Sequence, residues 1–174
     1  MGLDIYFSRV NKLDYSLNKE TAINDKIAIG YFRKVNCLLP HFGYVGNCEY
    51  LEIEKSQIED LVYKAKELLA IYESFSDKIQ LLNIDLRYYK EIYKNNEETC
   101  NEKCQIIQRK IDSLWASFEE VAEQKLPTSS GCFFGSQEYR DWYVSDLQEI
   151  VVIFEKILDE TDFDAEQVLM YCWW

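Results

Sequence analysis

Residues 2–10 read GLDIYFSRV, and this stretch decides the class of fold. Apolar and polar residues alternate from Leu3 to Ser8, which is typical of a strand with one buried face. CEYLEIE (48–54) alternates in the same way, and EQVLMYCWW (166–174) is rich in residues that favour strands. We therefore expect a small mixed sheet built from both ends of the sequence and one middle strand.

Helical periodicity dominates the sequence between these strands. Asp25 is a candidate cap for a helix through KIAIGYFRKVNCLL (26–39), which Pro40 would end. Ser56 and Glu59 have the spacing of a capping box at the start of a second helix, whose apolar face runs to Tyr72.

The second half of the sequence continues in the same periodicity. Residues 74–110 are polar but helical in spacing, and KNNEETCNEK (94–103) predicts a turn between two antiparallel helices. Another amphipathic helix ends before Pro127, and Ser136 is a candidate N-cap for a last helix through residue 160. With 174 residues and only two prolines, the chain is predicted to be a single α+β domain, mostly α.

The charge of the chain excludes several kinds of partner. A formal net charge of −12 repels phosphate backbones and anionic bilayers, so nonspecific binding to nucleic acid or membranes is not expected. The N-terminal residues lack the basic and apolar segments of a signal peptide, so a cytoplasmic protein with six reduced cysteines is expected.

The sequence offers little for metal binding or catalysis. Cys100 and Cys104 are one helical turn apart and could supply two of the four ligands of a zinc site. His41 is the only histidine that could add to them. No P-loop, dinucleotide fingerprint or nucleophile–base pair stands out among the abundant carboxylates. We therefore expect no metal, no cofactor and no enzymatic activity.

GYFRKVN (30–36) is the first candidate for a ligand site. Arg33 and Lys34 form a local positive spot in an acidic protein, beside Tyr31 and Asn36. A guanidinium group can contact phosphate with two hydrogen bonds, and an amide can read the edge of a base. The alternative is a solvated pair of cations on an amphipathic helix.

SSGCFFGS (129–136) and the residues after it form the second candidate. Hydroxyls, the backbone N–H groups near Gly135 and the positive end of a helix at Ser136 could hold an anion. Aromatic side chains could stack on a planar base. The residues of this candidate are Ser129, Ser130, Phe134, Gly135, Ser136, Tyr139 and Trp142. The alternative is that the phenylalanines anchor a loop in the core.

These stretches, in this order, resemble a family of small phage and prophage proteins. The resemblance rests on MGLDIY, GYFRKVN, LPTSSGCFFGSQEYRDWYVSDL and the terminal YCWW, and covers about half of the chain. Residues 74–110 look longer than in most members and are interpreted as an inserted helical hairpin. Phe32 stands where the family has Trp, Pro40 shortens the predicted first helix, and Arg140 replaces an acidic residue and adds a positive charge beside the loop.

The resemblance implies a function in phage immune evasion. It points to a homo-oligomeric protein in the host bacterial cytosol that binds and sequesters a small, cyclic nucleotide signal without chemistry. The paired tryptophans Trp173 and Trp174 also favour an oligomer, because adjacent residues of a strand cannot both enter one small core. A second interpretation, an acidic inhibitor or nucleic-acid mimic that binds a basic groove, is favoured by 31 acidic against 19 basic residues.

Overall fold

The computed structural model of the chain describes residues 2–44, 46–131 and 134–174. The α+β, mostly α architecture expected from the sequence is confirmed. In chain order the elements are β1 (Asp4–Asn11), α1 (Lys12–Leu17), α2 (Lys19–Asn24), β2 (Ile27–Arg33), α3 (Leu38–Phe42), β3 (Tyr50–Ile53), α4 (Lys55–Ile92), α5 (Glu97–Lys125), α6 (Asp141–Glu160) and β4 (Glu166–Trp173). None of these helices has the length and apolar character that crossing a bilayer requires.

The sheet has the strand order β2-β1-β4-β3, and each pair of neighbouring strands is antiparallel, so it is not the mixed sheet that was expected. Its two central strands, β1 and β4, pair over their whole length, from Asp4 opposite Trp173 to Asn11 opposite Glu166. Both ends of the sequence and a middle strand therefore form the sheet, as predicted.

The fourth strand, β2, corrects the helix predicted for residues 26–39. That prediction was wrong, because Ile27–Arg33 is a strand in which Phe32 is buried and Tyr31 is exposed. Asp25 follows the last residue of α2 and caps no new helix. Pro40 lies inside the short helix α3, in its first turn, where a missing N–H breaks no intrahelical hydrogen bond.

The helix-facing side of the sheet carries the main core. Phe154 of α6 lies at its centre, with ring centroids 4.9 Å from Phe7, 5.4 Å from Phe32 and 5.9 Å from Phe42. Gly30 lets α6 approach β2 closely, since a Cβ atom there would lie 3.1 Å from Cγ2 of Ile153. The sheet and α6 therefore form one closely packed unit.

Helices α4 and α5 form a long antiparallel hairpin that packs on α6 through α4. The capping box predicted at Ser56 and Glu59 was wrong, because the helix begins earlier, at Lys55. The N-cap is Glu54, whose backbone N–H donates to Oε1 of Gln57 at 2.9 Å. Residues 74–110, the segment interpreted as an insertion, contain the turn between the two helices.

The second face of the sheet is partly covered by α1 and α2. Val10 and Leu169 of the sheet are buried there against Tyr15 and Ala22, in a small cluster separate from the main core. The rest of this face, near the Asp4 end of β1, remains open.

Phe154→Ala is expected to lower the free energy of unfolding by about 3–5 kcal/mol, because it leaves a cavity among three aromatic rings. Val152→Ala, at an exposed position of the same helix, is the matched control and should change stability by less than about 0.5 kcal/mol. Chemical denaturation of both variants measures the difference. Similar losses in the two would show that α6 is not anchored through Phe154.

Candidate functional site

A cavity of about 470 Å³ lies between the end of β2, the loop 128–138 and the first turns of α6. Six residues of the two sequence candidates line it: Arg33, Lys34, Asn36, Gly135, Ser136 and Trp142. Six more were not singled out from the sequence: Thr128, Glu138, Tyr143, Ser145, Asp146 and Glu149. Three other cavities are larger. Those of about 590 and 610 Å³ have no aromatic side chain among the described residues that line them, and the third, of about 560 Å³, is lined by Tyr63 and by one cation, Lys66, which pairs with Glu155.

The end of β2 brings its two cations to the cavity. The Lys34 backbone N–H donates to the Leu3 carbonyl at 2.8 Å, and Lys34 then turns the chain with a φ of +64°. This left-handed conformation costs a residue with a side chain about 1–2 kcal/mol. Gly135 packs against this turn with a φ of +95°, and a Cβ atom there would lie 3.1 Å from Cβ of Lys34. Glycine is therefore needed at 135 for both reasons.

Asn36 fixes the loop against the end of β2. It is buried, and its Nδ2 donates to the carbonyls of Phe134 at 3.3 Å and Ser136 at 3.0 Å. The Ser129 hydroxyl donates to the Asn36 carbonyl at 3.0 Å. The Asn36 amide, predicted to contact a ligand, therefore shapes the cavity by holding the loop.

Two of the predicted stacking residues pack in the core. Phe134 is buried, with its ring 5.3 Å from that of Trp174, and Tyr139 is buried 4.9 Å from Tyr143. The Tyr139 hydroxyl accepts the backbone N–H of Thr128 at 3.0 Å. Neither ring faces the cavity. Adjacent residues of an extended segment point opposite ways, so the sequence predicts that one of Phe133 and Phe134 lines the pocket; Phe133 lies outside the described residues.

Trp142 is the predicted aromatic residue that reaches the cavity, and its side chain is 78% exposed. Four other predicted site residues do not line the cavity, and one of them is Ser129, whose hydroxyl is used in the hydrogen bond to Asn36. Tyr31 lies on the open face of the sheet and donates to Oδ1 of Asp4 at 2.6 Å. The Arg140 guanidinium lies over the Trp115 ring, 5.4 Å from its centroid, and Ser130 is exposed.

The helix end predicted at Ser136 was wrong. Helix α6 begins at Asp141, with Arg140 as its N-cap, so its positive end is displaced from Ser136 by one extended segment. The Ser136 hydroxyl accepts the N–H of Glu138 at 3.1 Å instead. Since an acidic residue also occupies the first turn of α6, the dipole gives no anion cradle at Ser136.

Asp146 is the titratable residue that sequence reasoning missed. Burial, with a smaller contribution from the nearby Glu149 carboxylate, raises the pKa of Asp146 to about 7. Trp142, Asp146 and Glu149 are spaced at i, i+4 and i+7 and so share one face of α6. That spacing was a usable signal, but it was hidden among the many carboxylates of an acidic sequence.

The cysteine pair of α5 and the histidine lie away from this cavity. The Sγ atoms of Cys100 and Cys104 lie 3.9 Å apart in the first turns of α5. His41 contacts the Gln57 carbonyl through Nε2 at 2.9 Å, and burial lowers the pKa of its ring. Within residues 2–44, 46–131 and 134–174, no group of three His, Cys, Asp or Glu side chains is placed to hold a metal ion.

No protein-family model, curated protein or solved structure matches this chain.

Asn36→Ala is expected to destabilise the protein by about 1–3 kcal/mol, because the buried carbonyl of Phe134 and the partly buried carbonyl of Ser136 lose their donor. The loop 129–136 should also become more accessible to limited proteolysis than in the native protein. Asn101→Ala, at an exposed position of α5, is the control and should change neither property. Unchanged stability in the Asn36 variant would mean that the amide does not hold the loop.

Asp146→Asn tests the partly buried carboxyl group of the cavity. Because its folded-state pKa lies above the ordinary 3.8, its contribution to stability is complete below about pH 4 and is lost as pH rises through about 7. The Asn variant lacks this contribution, so its stability should fall less than that of the native protein over this pH range. Denaturation midpoints at a series of pH values measure the difference.

Asp85→Asn removes an exposed carboxylate of α4 and serves as the control. Its stability should follow the native curve over the same pH range. An Asp146 variant whose curve also runs parallel to the native one would contradict the raised pKa.

Proposed function

We propose that the protein binds a small nucleotide in this cavity and retains it without chemical change. The observation that carries the proposal is the meeting of Arg33 and Lys34 with the exposed ring of Trp142 around one cavity. Its volume of about 470 Å³ lies within the usual range of small-molecule sites, about 300–1,000 Å³.

The cationic side of the cavity suits phosphate. Arg33 has one carboxylate neighbour, Asp4, with 4.0 Å between Nε and Oδ1, and the arginine side chain is largely exposed. An ion pair of that length is weak when one partner is as exposed as Arg33, so the guanidinium can turn toward a ligand at little cost. Phosphate accepts two parallel hydrogen bonds from guanidinium and a charged contact from a lysine ammonium group.

The opposite side suits a nucleobase. Trp142 offers a ring face for stacking, and base stacking on an aromatic side chain contributes about 1–3 kcal/mol. Asp146 and Glu149 offer carboxyl oxygens that can accept hydrogen bonds from the amino groups of a base. A ligand with an anionic group and a planar base can therefore use both sides.

The biological part of the proposal rests on the resemblance to the phage and prophage family. In that setting the protein would act in the host cytosol, and its ligand would be a cyclic nucleotide that bacterial defence systems use as a signal. Sequestration needs affinity and slow release, so no catalytic group is required. The nucleotide should consequently be recovered intact after binding.

The acid excess of the chain, 31 acidic against 19 basic residues, favours a second candidate function. An acidic inhibitor would bind a basic surface of another protein through carboxylates on its long helices. Its binding would weaken steeply with salt and would not depend on Trp142.

Calorimetry with a panel of cyclic di- and oligonucleotides and ADP-ribose derivatives tests the proposed function. Arg33→Ala should weaken binding of the preferred nucleotide about ten- to a hundredfold, which corresponds to one charge-assisted contact of about 1.5–3 kcal/mol. Trp142→Ala should weaken it by a similar factor through loss of stacking. Tyr139→Ala is unsuitable as a binding test, because its buried ring and hydroxyl hold the loop.

Matched controls are Arg87→Ala and Tyr63→Ala, at exposed positions of α4 away from the cavity lining. Both should bind as the native protein does. If the Arg33 and Trp142 variants bound the nucleotide with native affinity, the binding site would not be this cavity. Absence of binding across the panel would leave the acidic-inhibitor function as the better candidate, and chromatographic detection of a converted nucleotide would indicate an enzyme.

A further inference from the structure

Four tyrosines form a continuous row across the open face of the sheet, one from each strand. Tyr6 of β1 lies opposite both Tyr31 of β2 and Tyr171 of β4, and Tyr171 lies opposite Tyr50 of β3. Successive ring centroids are 5.1, 6.3 and 4.9 Å apart. This tyrosine row, Tyr31-Tyr6-Tyr171-Tyr50, follows the strand order of the sheet.

The row lies on the side of the sheet away from the main core. Tyr6 and Tyr31 are 43% and 44% exposed, although Tyr6 belongs to a central strand. Trp173 lies two residues beyond Tyr171, points to the same face and is 46% exposed. Tyr171 and Tyr50 are half-buried, so the exposed aromatic surface is formed mainly by Tyr6, Tyr31 and Trp173. Adjoining exposed aromatic side chains on a sheet are typical of a binding surface.

The charged groups paired beside the row are two carboxylates and three cations, so they carry no excess of acid, in contrast to the whole chain. Asp4 neighbours Arg33 at 4.0 Å, and Glu52 pairs with Lys19 at 2.9 Å. The Lys26 ammonium group lies 5.8 Å from the centroid of the Tyr50 ring. Two chains of net charge −12 repel each other, and the repulsion is smallest where a contact surface carries no excess of acid.

We propose that the tyrosine row binds a second copy of this chain. A two-fold axis that runs along the row, across the strands, places each tyrosine against the same tyrosine of the partner subunit. It also carries the partner's α1 and α2 to the opposite end of the sheet, clear of the α1 and α2 that cover the Val10 end of the first subunit. A two-fold interface requires such self-complementarity, and offset aromatic pairs are favourable. The proposal does not depend on nucleotide binding.

The same arrangement explains the two tryptophans at the end of β4. Trp174 packs within its own chain, 5.3 Å from Phe134 and 6.1 Å from Tyr44 between ring centroids. Trp173 stays on the open face beside the tyrosine row, where a second subunit would cover it.

Sedimentation velocity over a range of concentrations tests the proposal. One row across four strands is a small interface, so we expect a reversible dimer with a dissociation constant of roughly 1–100 μM. Raising the ionic strength from about 0.05 to 0.5 M should tighten the dimer, because salt screens the repulsion between the acidic subunits. Tyr6→Ser with Tyr171→Ser should weaken it at least about tenfold.

Two further variants keep this test decisive. Tyr31→Lys changes an edge strand and should also weaken the dimer while the protein stays folded by circular dichroism. Tyr63→Ser with Tyr88→Ser removes two exposed tyrosines of α4 and should leave the dissociation constant unchanged.

Three results would overturn the proposal. A mass of 20.7 kDa at every concentration would show a monomer. A dimer that persists in folded Tyr31→Lys protein would place the interface elsewhere, and a dimer that weakens as salt is added would indicate contacts between opposite charges.

Discussion

The packing of one side chain, Phe154, joins the helical layer to the sheet. Its ring contacts phenylalanines from β1, β2 and α3, so it sets the position of α6 over the strands. The same helix carries Trp142 twelve residues earlier, about 18 Å along its axis, and Asp146 between them. The aromatic core therefore also determines where the wall of the cavity stands relative to Arg33.

The spacing of apolar residues, every second residue in strands and every three to four residues in helices, predicted most of the fold. β1, β3 and β4 alternate or are rich in strand formers, and the α4–α5 hairpin repeats its apolar residues over many turns. β2 was missed because IAIGYFR also fits a helical spacing, and only pairing with β1 makes it a strand. Helix ends were missed for a related reason, since Glu54 and Arg140 are the N-caps where Ser56 and Ser136 were better candidates from the sequence.

The candidate site was predicted in part. Arg33 and Lys34 do meet Gly135 and Ser136, although they were assigned to a helix rather than to the end of a strand. The sequence did not show that Phe134 and Tyr139 are buried in the core while Trp142 is exposed. The burial of each ring depends on how the loop packs against the sheet, and the sequence pattern does not show that packing. Asp146 was missed for the same reason, since its depth in the cavity raises its pKa and its neighbours in the sequence give no sign of that depth.

The pairing of β1 with β4 also has a consequence for how the chain folds. Residues 4–11 find their partners at residues 166–173, so the two central strands of the sheet are far apart in sequence. Loop closure over such a distance is slow, whereas the turn between α4 and α5 brings neighbouring segments together quickly. During synthesis the helical hairpin can form while β1 still lacks its main partner. Completion of the sheet must wait until β4 has left the ribosome.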